Sequence, residues 1–388
     1  MTITVVTDVL GQANNGTTIA AMHLISYLTH QGHNVRVLCP DADKKGTANY
    51  YVVPTLNLGI FQPLVDHNGV SLAKGDKMTV ARALHDADEV HIMMPFALGR
   101  KAARLCAELG IPVSAGFHVQ AENVTAHFFN WMGNTAINRA VYRNFWGHFY
   151  KNIDAIHYPT EFIHEEFESV IKRNTPAYVI SNGVNASFVH KDVVRTPELK
   201  GKFVILCTGR LSKEKRQGLL IKAAKLSKYS DEIQLLFAGE GPRLGELQRL
   251  ARSVNLKNPP LFSFYTREGL VDAINMCDLY VHTSEIEIEA ISCLEAICCG
   301  LVPVINDSKK SATRYFALDE KNLFNLNDPQ DLADKIDYWH DHPEEKAARS
   351  AAYHSYCGQF NFDHCMEEME EMIVATSKIK KEPLHHKA

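Results

Sequence analysis

Short apolar runs, rich in β-branched residues, alternate along this chain with longer amphipathic stretches. Runs at 3–6, 35–39, 90–93, 112–115 and 155–157 predict strands, and the spacing of apolar positions in 17–31 and 100–109 predicts helices. Alternation of strand and helix predicts a parallel, doubly wound sheet. A polar segment interrupts the pattern near 185–202. It restarts with strand-like runs at 203–207, 234–238, 261–264, 279–282 and 302–305. The chain therefore reads as α/β, with a first half over 1–185, a linker at 186–201 and a second half over 202–359. An acidic helix is predicted at 360–376, ahead of a basic tail at 377–388. Ligands of such sheets bind beyond the carboxyl ends of the strands, so a cleft between the two halves is the expected site.

Composition narrows the field. The 388 residues leave room for two domains, each able to bury its own core. A net charge of −4 gives no global attraction for nucleic acid. The nine cysteines show no C-x-x-C pair, and reduced thiols in a cytoplasmic protein are the expectation, with Cys298-Cys299 packing as small apolar residues. The N-terminal run lacks the basic flank of a signal peptide. No apolar stretch approaches the ~18 residues that span a bilayer, so any membrane contact is expected to be peripheral.

The candidate chemistry lies mostly in the second half. Glu287 and Glu295 follow the strand-like 279–282 and sit eight residues apart, which would place them on broadly one helix face. Paired carboxylates accept strongly from hydroxyls and could grip two parts of one sugar-rich ligand. A solvated acidic face is by far the commoner fate of glutamates at helical spacing, until the neighbours of this pair are considered. Upstream, an apolar strand runs into Thr208-Gly209-Arg210-Leu211-Ser212-Lys213-Glu214-Lys215. A glycine turn followed by Arg210 and Lys215 at the mouth of a helix suits an anion, though either cation alone would be ordinary surface charge. Gly239-Glu240-Gly241-Pro242 forms another tight turn at a strand end.

In this order, the segments from Gly209 to Lys215, from Gly239 to Pro242 and from Glu287 to Val304 resemble the G-R-L-S-x-x-K, G-x-G-P and E-x7-E motifs of retaining GT-B glycosyltransferases of family 4. The resemblance covers nearly the whole chain. It implies two Rossmann-like doubly wound domains facing across a cleft, an N-terminal acceptor domain on which helix 360–376 packs back, and a C-terminal UDP-sugar domain. It further implies transfer of a hexose, glucose or galactose, from a UDP-sugar with retention of the α configuration. Glu295 would hold the ribose and Glu287 the hexose. Arg210 and Lys215 would stabilise the departing diphosphate beside the backbone of Gly209 and Gly16. Residues 288–290 complete the donor site. Many members have Pro-Phe-Gly there, where this chain has Ile288-Glu289-Ala290. His118, in Phe117-His118-Val119-Gln120, matches the family's active-site histidine. By residue type alone it would be an ordinary structural histidine. Asp41-Ala42-Asp43 and Asp86-Ala87-Asp88 read D-x-D, a weak metal signal. With two cations already facing the diphosphate, no metal or other cofactor is expected.

Between 127 and 151, eight aromatics, among them Phe128, Phe129, Trp131 and Trp146, interleave with Arg139, Arg143 and Lys151. Core packing explains part of this. The surplus of tryptophan and cations suits an anionic membrane surface. The stretch resembles the diacylglycerol-glycosylating branch of the family, as does 307–313. That resemblance implies a lipid acceptor and a peripheral position on the inner face of the cell membrane. A soluble sugar, glycan or metabolite acceptor is the alternative. An impaired, membrane-associated scaffold is a third reading, suggested by the missing Pro-Phe-Gly. Nucleic acid is not an expected partner.

Overall fold

The computed structural model describes residues 1–8, 10, 16–55, 73, 75–129 and 135–383, without the side chains of 126–129. It divides into two compact units, Met1–Asn182 with His364–Ala388, and Gly183–Asp363.

In the first unit seven parallel strands lie in the order β3-β2-β1-β4-β5-β6-β7. They are β1 (Thr2–Val6), β2 (Asn34–Cys39), β3 (Tyr50–Val52), β4 (Glu89–Ile92), β5 (Val113–Gly116), β6 (Ala155–Tyr158) and β7 (Ala177–Val179). β4, β5 and β6 are buried along their whole length. Helices cover both faces of a parallel sheet, so even the polar Glu89, His91, Ser114 and His157 on these strands are buried. β3 and β7 were not expected; each is short and carries little buried surface. The order reverses between β1 and β4, and the loops after β1 and β5 lead to Gly16 and His118.

The helix Phe362–Ser377 returns to this unit. Glu370 pairs with His33 at 2.8 Å, and Lys381 beyond it pairs with Asp154 at 2.6 Å. Its buried face is Cys365, Met366, Met369, Met372 and Ile373, the i, i+3, i+4 spacing of a packed helix.

The second unit repeats the plan with six parallel strands ordered β10-β9-β8-β11-β12-β13. They are β8 (Phe203–Thr208), β9 (Ile233–Ala238), β10 (Leu261–Ser263), β11 (Leu279–His282), β12 (Pro303–Asn306) and β13 (Leu323–Phe324). Here the reversal falls between β8 and β11. The expected linker at 186–201 is instead part of this unit. Phe188 and Leu199 are buried in its core, and Val184 N donates to Phe360 O at 2.7 Å.

The cysteines also depart from expectation. Cys298 is joined to Cys357, with Cα atoms 5.5 Å apart, so it is not a free apolar filler; Cys299 beside it is free and buried. The two partners are 59 residues apart, and only the fold brings them together. Among the described residues no helix is long and apolar enough to cross a membrane.

Candidate active site

In the second unit the loops after β8, β9, β11 and β12 interlock at the carboxyl ends of the strands. The two glycine turns stack backbone on backbone. Gly209 N donates to Ala238 O at 3.0 Å and Leu211 N to Glu240 O at 2.9 Å. At Gly239, where φ is +154°, an added Cβ would stand 2.2 Å from Gly209 O, so only glycine fits. The segment 212–216 then crosses to the loop after β11. Glu285 N donates to Glu214 O at 2.9 Å, and Thr283 Oγ1 to Lys215 O at 2.6 Å. Loop 307–313 closes the other side. Ser308 Oγ donates to Glu285 O at 2.7 Å, Ala312 N to Glu287 O at 2.9 Å, and Lys310 Nζ lies 3.5 Å from Glu285 Oε1.

These contacts carry Lys215 and Glu287 together. Lys215 Nζ hydrogen-bonds Glu287 Oε1, lies 3.8 Å from the Cβ position of Gly209, and is only 18% exposed; Glu287 is 13% exposed. Burial would raise the Glu287 carboxyl, but the Lys215 ammonium and the nearby His282 ring hold it at about 2. Burial likewise opposes the charge of Lys215, and Glu287 overcomes it, raising the lysine above its ordinary value. The pair is ionised and mutually neutralised in the free protein, a contact that sequence spacing did not anticipate. Arg210 sits on the turn directly after Gly209, its carbonyl accepting from Gln217 Nε2 at 2.8 Å.

Glu287 and Glu295 do not share a helix. The helix spans Ile291–Cys298, and residue 290, its cap, is left-handed at φ 59° and ψ 64°. Glu287 therefore lies in the loop after β11, where it forms an isolated parallel bridge with Ser311, and only Glu295 belongs to the helix. Ala290 occupies the position where the family pattern has glycine, in the backbone conformation that glycine adopts most readily. Glu289 is buried. Burial pushes Glu295 up to about 7, with Arg267 pulling the other way.

Gly16 and His118 lie in the first unit. Gly16 opens the helix Gly16–His30, with open space where a Cβ would be; Asn14 and Asn15 fall outside the described residues. His118 is placed by its neighbour. Phe117 is clamped among Phe167, Tyr150, Tyr158 and Tyr142, with ring centroids 4.6, 5.0, 5.3 and 6.1 Å away. The His118 ring meets His157 edge-on at 5.3 Å, and burial, then His157 and His91, press its pKa well below the ordinary value. Its Nε2 would stand 2.3 Å from a Cβ on Gly116. Asp8, which sequence reasoning passed over, is buried after β1, accepts from Ala73 N at 3.1 Å and is pushed up to about 7 by desolvation.

The aromatic stretch splits. Tyr142, Phe145, Phe149 and Tyr150 are core, and Trp146 is half-buried against Phe167 at 6.4 Å. Arg139 and Arg143 are exposed on the helix Thr135–His148. The side chains of Phe128 and Phe129, and all of Trp131, lie outside the described residues.

Sequence reasoning also missed His282, whose Nε2 is 3.3 Å from Glu287 Oε1. The signal was present: Tyr280 and His282 recur at i, i+2 in a strand that is otherwise apolar.

Comparison with known proteins assigns both units. Residues 14–188 match the family model Glycosyltransferase Family 4, and 190–354 match Glycosyl transferases group 1. The chain is 22% identical over 318 residues to the alpha-monoglucosyldiacylglycerol synthase of Streptococcus pneumoniae, covering 79% of this chain and 70% of that one. Among solved structures, HepE of Anabaena in complex with UDP and glucose is 17% identical, covers 97% of this chain and 100% of its own, and superposes with a TM-score of 0.72. The catalytic domain of the cholesterol-alpha-glucosyltransferase of Helicobacter pylori is 44% identical over 40% of this chain and 96% of its own, with a TM-score of 0.39. Since the two matched stretches follow one another almost without a gap and coincide with the two doubly wound sheets, the chain belongs to glycosyltransferase family 4 and is a glycosyltransferase of GT-B fold.

Proposed function

We propose that the protein transfers a hexose, glucose or galactose, from a UDP-sugar to the hydroxyl of a membrane lipid such as diacylglycerol, with retention of the α configuration. The observation that carries this reading is the clustering of Lys215 and Glu287 over the stacked glycine turns. One side of the cluster offers positive charge and backbone to a diphosphate, and the other offers a buried, ionised acceptor to sugar hydroxyls. Glu287 holds the hexose and Glu295 the ribose, with residues 288–290 shaping the wall between them. Arg210 and Lys215 stabilise charge growing on the departing UDP, a preorganised role that needs no metal. Backbone at Gly209 and Gly16 approaches the diphosphate. On binding, Lys215 exchanges part of its contact with Glu287 for phosphate oxygen. His118, uncharged in its buried setting, orients the acceptor or polarises a sugar hydroxyl. The leaving phosphate helps remove the acceptor proton, so no carboxylate nucleophile is required.

The lipid acceptor is supported by the similarity to the diacylglycerol-glycosylating enzyme of Streptococcus pneumoniae. Exposed Arg139 and Arg143, on a stripe with Trp146, would meet anionic headgroups at the inner face of the cell membrane. A soluble acceptor is the second reading, favoured by the burial of Tyr142, Phe145, Phe149 and Tyr150, which leaves fewer aromatics for a membrane. Incubation with UDP-glucose or UDP-galactose and candidate lipids, with mass detection of the product, tests the proposal. A glycolipid with an α linkage is expected. UDP release that depends on a soluble acceptor and never on lipid would overturn the lipid assignment, and flotation on anionic vesicles reads the membrane part separately.

A further inference from the structure

Behind Glu287 a column of buried polar side chains runs along β11, and the functions assigned above make no use of it. Tyr280 and His282 lie two residues apart on the strand, so both leave the same face of the sheet. Thr208, at the end of neighbouring β8, places Oγ1 3.0 Å from Tyr280 Oη; Tyr280 Oη is 3.1 Å from His282 Nδ1. His282 Nε2 lies 3.3 Å from Glu287 Oε1, a close electrostatic contact, and makes no aligned hydrogen bond among the described residues. All three side chains are buried.

Buried polar atoms are costly unless donors meet acceptors, and that fixes the direction of this column. An ionised Glu287 at 3.3 Å favours the tautomer that carries the proton on Nε2. Nδ1 must then accept, and Tyr280 must donate to it. Thr208 is then the donor of its 3.0 Å contact with Tyr280, the shorter of its two, the other being to Ser292 O at 3.5 Å. Burial favours the uncharged ring, the form this sequence of bonds requires. Lys215 also engages Oε1, so neither of these contacts uses Oε2.

We propose that His282 is a positioning residue for the donor sugar: the column Thr208–Tyr280–His282 fixes Oε1 of Glu287 and thereby aims Oε2 at the hexose hydroxyls. The inference rests on Glu287 holding the hexose. Its consequence is a split between two ligands that share a nucleotide. UDP lacks the hexose and is indifferent to His282; a UDP-hexose is not.

The test measures UDP affinity by calorimetry and initial rates with UDP-glucose and UDP-galactose. In His282→Leu, UDP affinity stays at the wild-type value while kcat/KM for the sugar donor falls roughly 10- to 100-fold, the scale of a small misplacement of a reacting group. His282→Gln, whose amide nitrogen can stand where Nε2 was, recovers most of the rate. Tyr280→Phe falls between them. His282→Leu combined with Glu287→Ala is no slower than Glu287→Ala alone, because the two act as one unit. Equal loss of UDP and UDP-hexose binding, or additive losses in the double variant, overturns the proposal. A normal His282→Leu beside an impaired Glu287→Ala sinks the column and leaves the role of Glu287 standing; a normal Glu287→Ala removes both. Should His282→Leu fail to fold, Tyr280→Phe decides, and an unimpaired rate in that variant refutes the column.

Discussion

Replacing Lys215 by methionine should destabilise the second unit by an amount that depends on pH. Glu287 titrates at about 2 in the folded protein against an ordinary 4.5, and the difference corresponds to on the order of 3 kcal/mol. Because the folded value is depressed, this contribution is complete above pH 4.5 and is lost only as pH falls towards 2. Without Lys215 the principal opposing influence is gone, and burial pushes the Glu287 carboxyl upwards instead. Removing one member of a buried pair typically costs about 3–5 kcal/mol. For a unit of this size that corresponds to a fall of roughly 10 °C in Tm. The Lys215→Met protein should lose stability relative to wild type as pH rises from 5 to 8, since its Glu287 must ionise unpaired. Glu295 titrates in both proteins, so the difference between their melting curves isolates the pair. Adding Glu287→Gln should return most of the loss, because no unpaired charge remains. Thermal melts across that range check the reasoning. Equal melting temperatures, or a difference independent of pH, would refute it.

Four further outcomes follow from the same geometry. Arg210→Ala should lower kcat about a hundredfold at saturating donor, the usual scale for a preorganised charge facing a leaving group, and a kinetically normal variant contradicts its role. Ala290→Gly should raise Tm slightly: a non-glycine residue in the left-handed region costs about 1–2 kcal/mol, partly offset by the greater freedom of glycine in the unfolded chain. A drop of several degrees would show that the Ala290 methyl, not the backbone, sets stability there. Gly116→Ala should depress turnover by displacing the His118 ring, and unchanged kcat with a wild-type melting curve would remove His118 from the mechanism. Glu295 has a raised folded value of about 7, so its burial costs stability progressively as pH rises from 4.5 through 7. Glu295→Gln should abolish that slope in the free enzyme, and a slope that survives assigns it elsewhere.

How much of this was legible in the sequence depended on whether the determinant was local. Each glycine turn is legible because a strand end and a turn lie within a few residues of one another, whereas the stacking of the two turns and the reach of Lys215 to Gly209 are set by the fold. The spacing of Glu287 and Glu295 misled because helical periodicity was extended backwards through Ala290, where a single left-handed residue resets the chain direction. The aromatic stretch carried its own answer. Tyr142, Phe145 and Phe149 recur at i, i+3 and i+7, the stripe of a core-facing helix, while Arg139, Arg143 and Trp146 form the neighbouring stripe. Composition merges the two stripes; periodicity separates them. That division has a consequence for function. The core stripe supplies Tyr142, whose ring reaches Phe117, and Phe117 in turn fixes the origin of His118. Residues that look like membrane anchors in the sequence thus hold His118 in place. A substitution in either stripe should affect turnover, but for different reasons: Tyr142→Ala should lower it in detergent and on vesicles alike, whereas Arg143→Glu should lower it only where an anionic surface is present.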